Sequence, residues 1–226
     1  MTASRYLIVG AAGHAQEVAW SLREAAAAAG CRPEVSFFDD HVPAGPLPSG
    51  LGSVVGTLDD VPRHAGDDAA LVLGVAFPKV KAAVVERLAH VPLRWATVVH
   101  PRATIGPNVR FGRGCYVAAG ALVTVNVRVG DFATINMHAQ VAHDGVLGDF
   151  VTLHPDAHLS GGVSIENGCE IGTGAAVLPG VSGGAWAVLG AGCVAPRPLA
   201  GDVTHVGIPA RPVGRRRRAI SATPRV

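Results

Sequence analysis

The chain has 226 residues, 49% of them hydrophobic, a mean hydropathy of +0.33 and a formal charge of +2, which describes a soluble globular protein of one large or two modest domains and excludes a disordered or fibrous chain. No apolar run approaches the roughly 18 residues of a membrane span, and Met1 to Gly10 lacks the basic start and long apolar core of a secretory signal, so the cytoplasm is the expected location and no membrane contact is expected. Arg215 to Arg218 supply more than the whole net charge, leaving a slightly acidic body that is no nucleic-acid surface.

Tyr6 to Val9 reads as a short strand, followed by the turn Gly10-Ala11-Ala12-Gly13-His14 and an Ala-rich helix, Ala15 to Ala29, that Gly30 stops. Val35 to Phe38 is a second strand ending in Asp39-Asp40, and His41 to Gly52 is a Pro- and Gly-rich loop. Ala70 to Leu73 is a third strand, Pro78 to Leu88 a helix with Pro in its first turn, and Leu93 to Val98 a strand leading onward. This alternation predicts a small Rossmann-like parallel α/β domain over residues 1–95, too short for a complete two-half dinucleotide fold.

The glycine turn after the first strand would aim backbone N–H groups at an anion from a helix N-terminus. A dinucleotide fingerprint wants a third glycine and an acid roughly 20 residues on, whereas here Gly13 is followed by His14-Ala15-Gln16 and the acidic pair lies later. The turn therefore reads as a cradle for a nucleotide-linked sugar. A ligand-free strand-to-helix turn is the alternative.

From Val99 to Val177 every sixth residue is a branched aliphatic or Phe, and the position four after each, from Ala103 to Val181, is small or β-branched. Position i+1 is often Gly, as at Gly106, Gly112, Gly130, Gly148 and Gly172, which suggests turns of unusual φ/ψ. An α-helix cannot keep a period of six on one face, because six residues advance roughly 600°. The pattern predicts a solenoid of short parallel strands. It resembles the hexapeptide-repeat family, whose chain winds as a left-handed parallel β-helix of three hexads per coil; residues eighteen apart then stack about 4.8 Å apart. On this reading the β-helix spans residues 96–206. The stripe resumes after Val177 at Val188 and Val194, as if Gly180 to Gly184 dropped one residue from the frame, and Gly207-Ile208-Pro209-Ala210-Arg211 marks the exit. Residues 207–226 then form a C-terminal cap and basic tail, in which Arg215 to Arg218 read as a solvated end or, alternatively, as a contact for the phosphates of a nucleotide-like cofactor.

The four cysteines form no CxxC pair, and Cys115 and Cys169, three coils apart, would be separated by roughly 14 Å, so all are expected to be buried thiols. Between Ile135 and Leu159 the repeat is crowded with polar side chains: Asn136, His138, Gln140, His143, Asp144, His154, Asp156 and His158. His143 falls at an outward turn position beside Asp144. A neighbouring carboxylate holds an imidazole in one tautomer and keeps it basic, as a general base requires.

Taken in order, Gly10-Ala11-Ala12-Gly13-His14, Phe38-Asp39-Asp40, Val141 to Phe150 and Gly207-Ile208-Pro209-Ala210 resemble the NeuD/PglD type of acyl-CoA-dependent sugar acetyltransferases. The resemblance implies transfer of an acetyl group from acetyl-CoA to an amine, or a hydroxyl, of a nucleotide-activated amino sugar, in a homotrimer with active sites between subunits and with no metal. It implies His143 as general base and Asp144 as its acidic neighbour, where the family often has Glu. It implies sugar contacts at Ala12, Gly13, His14, Asp39, Asp40 and Gly74, and acyl-CoA contacts at Asn136 and Gly161, with Thr152, Thr173 and Ala191 as further cofactor-lining positions. Gly161 lies one coil beyond His143, where its N–H could serve a developing oxyanion. Within the same family a sialic-acid O-acetyltransferase is an alternative.

Two other readings compete with this one. The γ-class carbonic anhydrases share the solenoid and use two histidines five residues apart, the spacing of His138 and His143, but the position for their third ligand is Arg102 and His100 misses it by two. A non-catalytic binding solenoid would leave the polar cluster unexplained.

Overall fold

The computed structural model describes residues 3–92 and 94–215. Its N-terminal part is a five-stranded sheet ordered β3-β4-β2-β1-β5, where β1 is Arg5–Val9, β2 Glu34–Phe38, β3 Gly45–Pro46, β4 Ser53–Gly56 and β5 Ala69–Leu73. All neighbours are parallel except β3 and β4. Strand alternation divides β1 between two cores: Tyr6 and Ile8 pack with Val18 and Leu22 of helix α1 (Gly13–Ala28), and Leu7 and Val9 with Leu58, Val61 and Leu88. The loop expected over His41 to Gly52 holds β3, and it is followed by β4 and a 3₁₀ helix, Leu58–His64, none of which the sequence reading found. Helix α2 covers Pro78–Arg87. The strand expected from Leu93 to Val98 is instead a single bridge from Trp95 to Leu71, after which Val98 opens the solenoid; residue 93 itself lies outside the described residues.

Seventeen two-residue strands, β6 (Val98–Val99) to β22 (Val194–Ala195), wind into a parallel β-solenoid with three flat faces. Face one runs from Val98–Val99 to Val188–Leu189, face two from Thr104–Ile105 to Val194–Ala195, and face three from Arg110–Phe111 to Ser182–Gly183. Partners are eighteen residues apart throughout, as in Ile135 with Leu153 and Val141 with Leu159. Both predicted apolar series point inward and form one continuous core that includes Val117, Val123, Ile135, Ala139, Leu153 and Ala157.

Two expectations about this repeat are corrected. The stripe does not lose a residue after Val177, because Ile165 pairs with Gly183, Ile171 with Leu189 and Val177 with Ala195 in unbroken register. Gly183 fills its inward slot without a side chain, and a Cβ there would lie 3.0 Å from Ile165 Cδ1, so the hydrophobic signal vanished where the frame continued. The glycines at i+1 are not the strained ones either. The left-handed conformation recurs two residues later, at every sixth residue from Asn108 to Gly192 with φ of 57–72°. Gly106, Gly112, Gly130, Gly148 and Gly172 are required by close approach, since a Cβ would strike the next coil's backbone.

Bulky side chains at left-handed corners lie over glycines one coil earlier, Phe132 over Gly114, His138 over Gly120 and Trp186 over Gly168. Three cysteines are buried thiols; Cys31, at the end of α1, is exposed, contrary to the expectation for all four. Face one continues past Val188–Leu189 into the hairpin β23 (Val203–Gly207) and β24 (Ala210–Arg215), which covers the open end. Arg216, Arg217 and Arg218 lie outside the described residues. Among those described, no helix is long and apolar enough to cross a membrane.

The N-terminal part docks on face one. Lys81 of α2 is fully buried there, its Nζ donating to Phe132 O at 2.8 Å, Val151 O at 3.1 Å and Thr134 Oγ1 at 3.2 Å. Beside it Thr152 Oγ1 donates to Ala76 O at 2.6 Å, and Ser21 of α1 shares a 3.0 Å hydrogen bond with the Tyr116 hydroxyl.

Candidate active site

His143 and Asp144 occupy the corner between Gln140–Val141 on face two and Val146–Leu147 on face three. Asp144 is the left-handed corner residue (φ 59°), a conformation that a short polar side chain tolerates. His143 Nδ1 lies 2.8 Å from Asp144 Oδ2, and the imidazole is 64% exposed. Hydrogen bonds, from His143 first and Asn126 second, hold the Asp144 carboxyl below its usual range. An ionised carboxylate only accepts, so Nδ1 carries the hydrogen, and in the neutral ring the lone pair is on Nε2.

A ladder along this corner supports the carboxylate. Asn108 Nδ2 donates to Asn126 Oδ1 at 2.9 Å, and Asn126 Nδ2 donates to Asp144 Oδ1 at 3.1 Å, each step one coil. Gly161, one coil further, is open space for the imidazole: a Cβ there would meet His143 Cε1 and Nε2 at 2.5 Å. The three ladder residues also line a groove of about 680 Å3 that extends over Arg110, Arg128 and Val146 of face three.

The second constellation lies at the C-terminal ends of β1 and β5. Gly74 N donates to Val9 O at 2.8 Å, and Cβ atoms on Gly10 and Gly74 would crowd Gly74 O and Ala15, so only glycines let the strand ends and α1 meet this closely. Helix α1 starts at Gly13 with Ala12 as N-cap and no side-chain cap, which leaves its first N–H groups without a capping side chain, the condition under which a helix N-terminus can take an anion. His14 packs edge-on against Tyr116 at 5.5 Å, and its buried Nε2 has no hydrogen-bond partner among the described residues. Asp39 ties the turn to the loop, accepting from Ala11 N and His41 N at 2.8 Å and from Val42 N at 3.0 Å. Asp40 accepts from Leu58 N at 3.0 Å and pairs with Arg87; burial pushes its carboxyl up, but Arg87 and Leu58 together hold it below the ordinary range. Both acids, implied as sugar contacts, thus organise the crevice through protein partners.

The chain by itself does not gather all the implied acyl-CoA positions. Gly161 joins His143. Asn136, buried with its Oδ1 accepting from Met137 N at 2.8 Å, lies at the other end of the Gln140–Val141 strand, at the corner where Thr173 and Ala191 stack one coil apart. Thr152 is buried under Ala76. His138 belongs to this other corner too, and among the described residues no three His, Cys, Asp or Glu side chains group as metal ligands.

No family model matches the chain. A GDP-perosamine N-acetyltransferase of Escherichia coli O157:H7 is 30% identical over 109 residues, 48% of this chain and 49% of that protein, so the match spans about half the length of this curated relative. PerB of Caulobacter crescentus, solved in complex with CoA and GDP-perosamine, is 32% identical with a TM-score of 0.83, over 92% of this chain and 97% of its own. The chain belongs to the hexapeptide-repeat sugar acetyltransferases. The acetyltransferase domain of PglB from Neisseria gonorrhoeae FA1090, solved in complex with acetyl coenzyme A, is 28% identical with a TM-score of 0.75, over 93% of this chain and 100% of its own.

Within this family fold, the sequence reading missed Asn108, Asn126, Lys81 and the Ser21–Tyr116 contact. The eighteen-residue spacing of Asn108, Asn126 and Asp144 was the available signal for the ladder. No comparable signal existed for Lys81, whose acceptors lie 51 to 70 residues away.

Proposed function

We propose that this protein transfers the acetyl group of acetyl-CoA to the amine of a nucleotide-linked amino sugar, with His143 as general base. The observation that carries the reading is the His143–Asp144 couple, exposed at a solenoid corner with Nε2 free to take a proton. The likeness to PerB, whose structure holds CoA and GDP-perosamine, supports the substrate classes.

In the proposed step Nε2 accepts a proton from the attacking amine, the nitrogen adds to the thioester carbonyl, and the collapsing tetrahedral intermediate expels the CoA thiolate. Asp144 holds the tautomer and steadies the imidazolium. The Gly161 N–H is assigned to the oxyanion. The sugar nucleotide occupies the crevice at Ala12, Gly13, His14 and Gly74 in a Rossmann-like domain, residues 1–95, with Asp39 and Asp40 shaping it. The β-helix that begins at residue 96 is left-handed, with the hairpin Val203–Gly207 and Ala210–Arg215 as its cap; the remainder of the tail expected to residue 226 lies outside the described residues.

The cofactor positions Asn136, Thr173 and Ala191 lie away from the His143 corner within one chain, while Thr152, fully buried under Ala76, is not open to a cofactor. A homotrimer, in which a neighbour's corner meets His143, brings the two sets together; the exposed Val125 and Val146 flanking the couple suit such a contact. The reading is of a cytoplasmic reaction, which its use of acetyl-CoA and a nucleotide sugar supports.

The test is thiol release from acetyl-CoA with nucleotide amino sugars as acceptors. His143→Ala is expected to lower kcat on the order of 10²- to 10⁴-fold. An unchanged kcat overturns the assignment of the base.

A further inference from the structure

Arg110 and Arg128 stand in parallel register on face three, one coil and about 4.8 Å apart. Both side chains are exposed, and among the described residues neither has a carboxylate or hydrogen-bond partner. Like charges directly opposite on neighbouring strands destabilise a sheet. The face does not demand them: the same outward slot on later coils holds Val146, Ser164 and Ser182. Nor is pairing foreign to this part of the chain, since Arg113, at the next corner, meets Asp131 at 2.9 Å.

The two guanidiniums line the groove that Asn108, Asn126 and Asp144 share. Asp144, which lines the same groove, meets His143 and Asn126, and no ion pair joins it to either arginine among the described residues. Two adjacent guanidinium forks in a groove match the several oxygens of a phosphoryl group, which each can bind bidentately.

We propose that Arg110 and Arg128 form a phosphate clamp beside the His143 corner, taking a phosphoryl group of one of the two substrates. The inference rests on the proposed function, in which both acyl-CoA and sugar nucleotide carry phosphates. A bound anion relieves the repulsion between the arginines and anchors the substrate at a distance from the reacting carbonyl.

The experiment is calorimetric titration of the full chain with CoA and, separately, with GDP, comparing wild type with Arg110→Gln/Arg128→Gln. Affinity for one probe is expected to fall about tenfold or more, with a weaker salt dependence, while the other probe binds unchanged; the probe that loses affinity names the source of the phosphate. Arg110→Lys/Arg128→Lys, which keeps charge but loses the fork, is expected to fall between the two. Unchanged affinity for both probes in the Gln variant overturns the clamp, and a simultaneous change in oligomeric state would assign the arginines to a carboxylate of a second copy. Wild-type protein that binds neither probe overturns the proposed function together with the clamp, whereas wild type that binds and a variant that binds equally overturns the clamp alone.

Discussion

The imidazole of His143 rests in the space that a side chain on Gly161 would occupy, 2.5 Å from where its Cβ would stand. Gly161 is not one of the left-handed corner residues, so its backbone accepts alanine without strain. Gly161→Ala is therefore expected to fold normally and to push the ring out of position, lowering kcat on the order of 10²-fold. Steady-state kinetics beside a thermal melt checks this; full activity in a folded variant would show that the ring works from another pose.

Asn126 gives Asp144 a hydrogen bond that favours its ionised form. Asn126→Asp keeps the shape and tolerates the left-handed corner, but removes the donor and sets a second carboxylate against the first. Added negative charge favours the protonated forms, so the acid limb of the kcat/KM profile should move to higher pH by roughly one unit. Asn126→Gly, which keeps the turn and removes the donor without adding a second carboxylate, should move that limb less than the Asp variant does. A limb that fails to move in the Asp variant counts against coupling between the ladder and the base.

Burial lowers the Lys81 ammonium pKa to about 7, well below its unfolded value of roughly 10.4. Between those values the unfolded chain binds more protons than the folded one, so stability should rise as pH climbs from about 7 toward 10. The melting temperature of wild type, followed over that range, should increase relative to Lys81→Met, which has no group to titrate there. Parallel curves would mean that the three acceptors keep the ammonium charged in the fold.

Gly183 stands where the hexad pattern calls for an aliphatic residue, against Ile165 and Cys169. Gly183→Val would restore the stripe and overfill the coil, destabilising by about 1–3 kcal/mol. Denaturant unfolding measures it, and a gain in stability would mean that the last coils have room to spare.

The solenoid was legible because each hexad states its own packing: an aliphatic at one position and a small residue four later both turn inward in the structure. Where a hexad omitted its side chain, at Gly183, the reading slipped a frame although the backbone did not. His143 and Asp144 were legible for a related reason, since their contact is between sequence neighbours at a corner whose place in the repeat is known. Asp39 and Asp40 were harder. Their composition suits sugar hydroxyls, yet their oxygens go to Ala11, His41, Val42, Leu58 and Arg87, partners supplied by loops whose course no periodicity announces.

A strict repeat is a local instruction, applied at every turn with the same short-range sterics, and so the chain's order alone was enough to specify the coils, their eighteen-residue register and the corner that carries His143 and Asp144. The docking of α2 through Lys81 and Thr152 and the space that Gly161 leaves for the imidazole came from folding in three dimensions. These depend on which distant backbone groups are left for a buried polar side chain to satisfy, and on how closely successive coils approach, neither of which is written in any one segment.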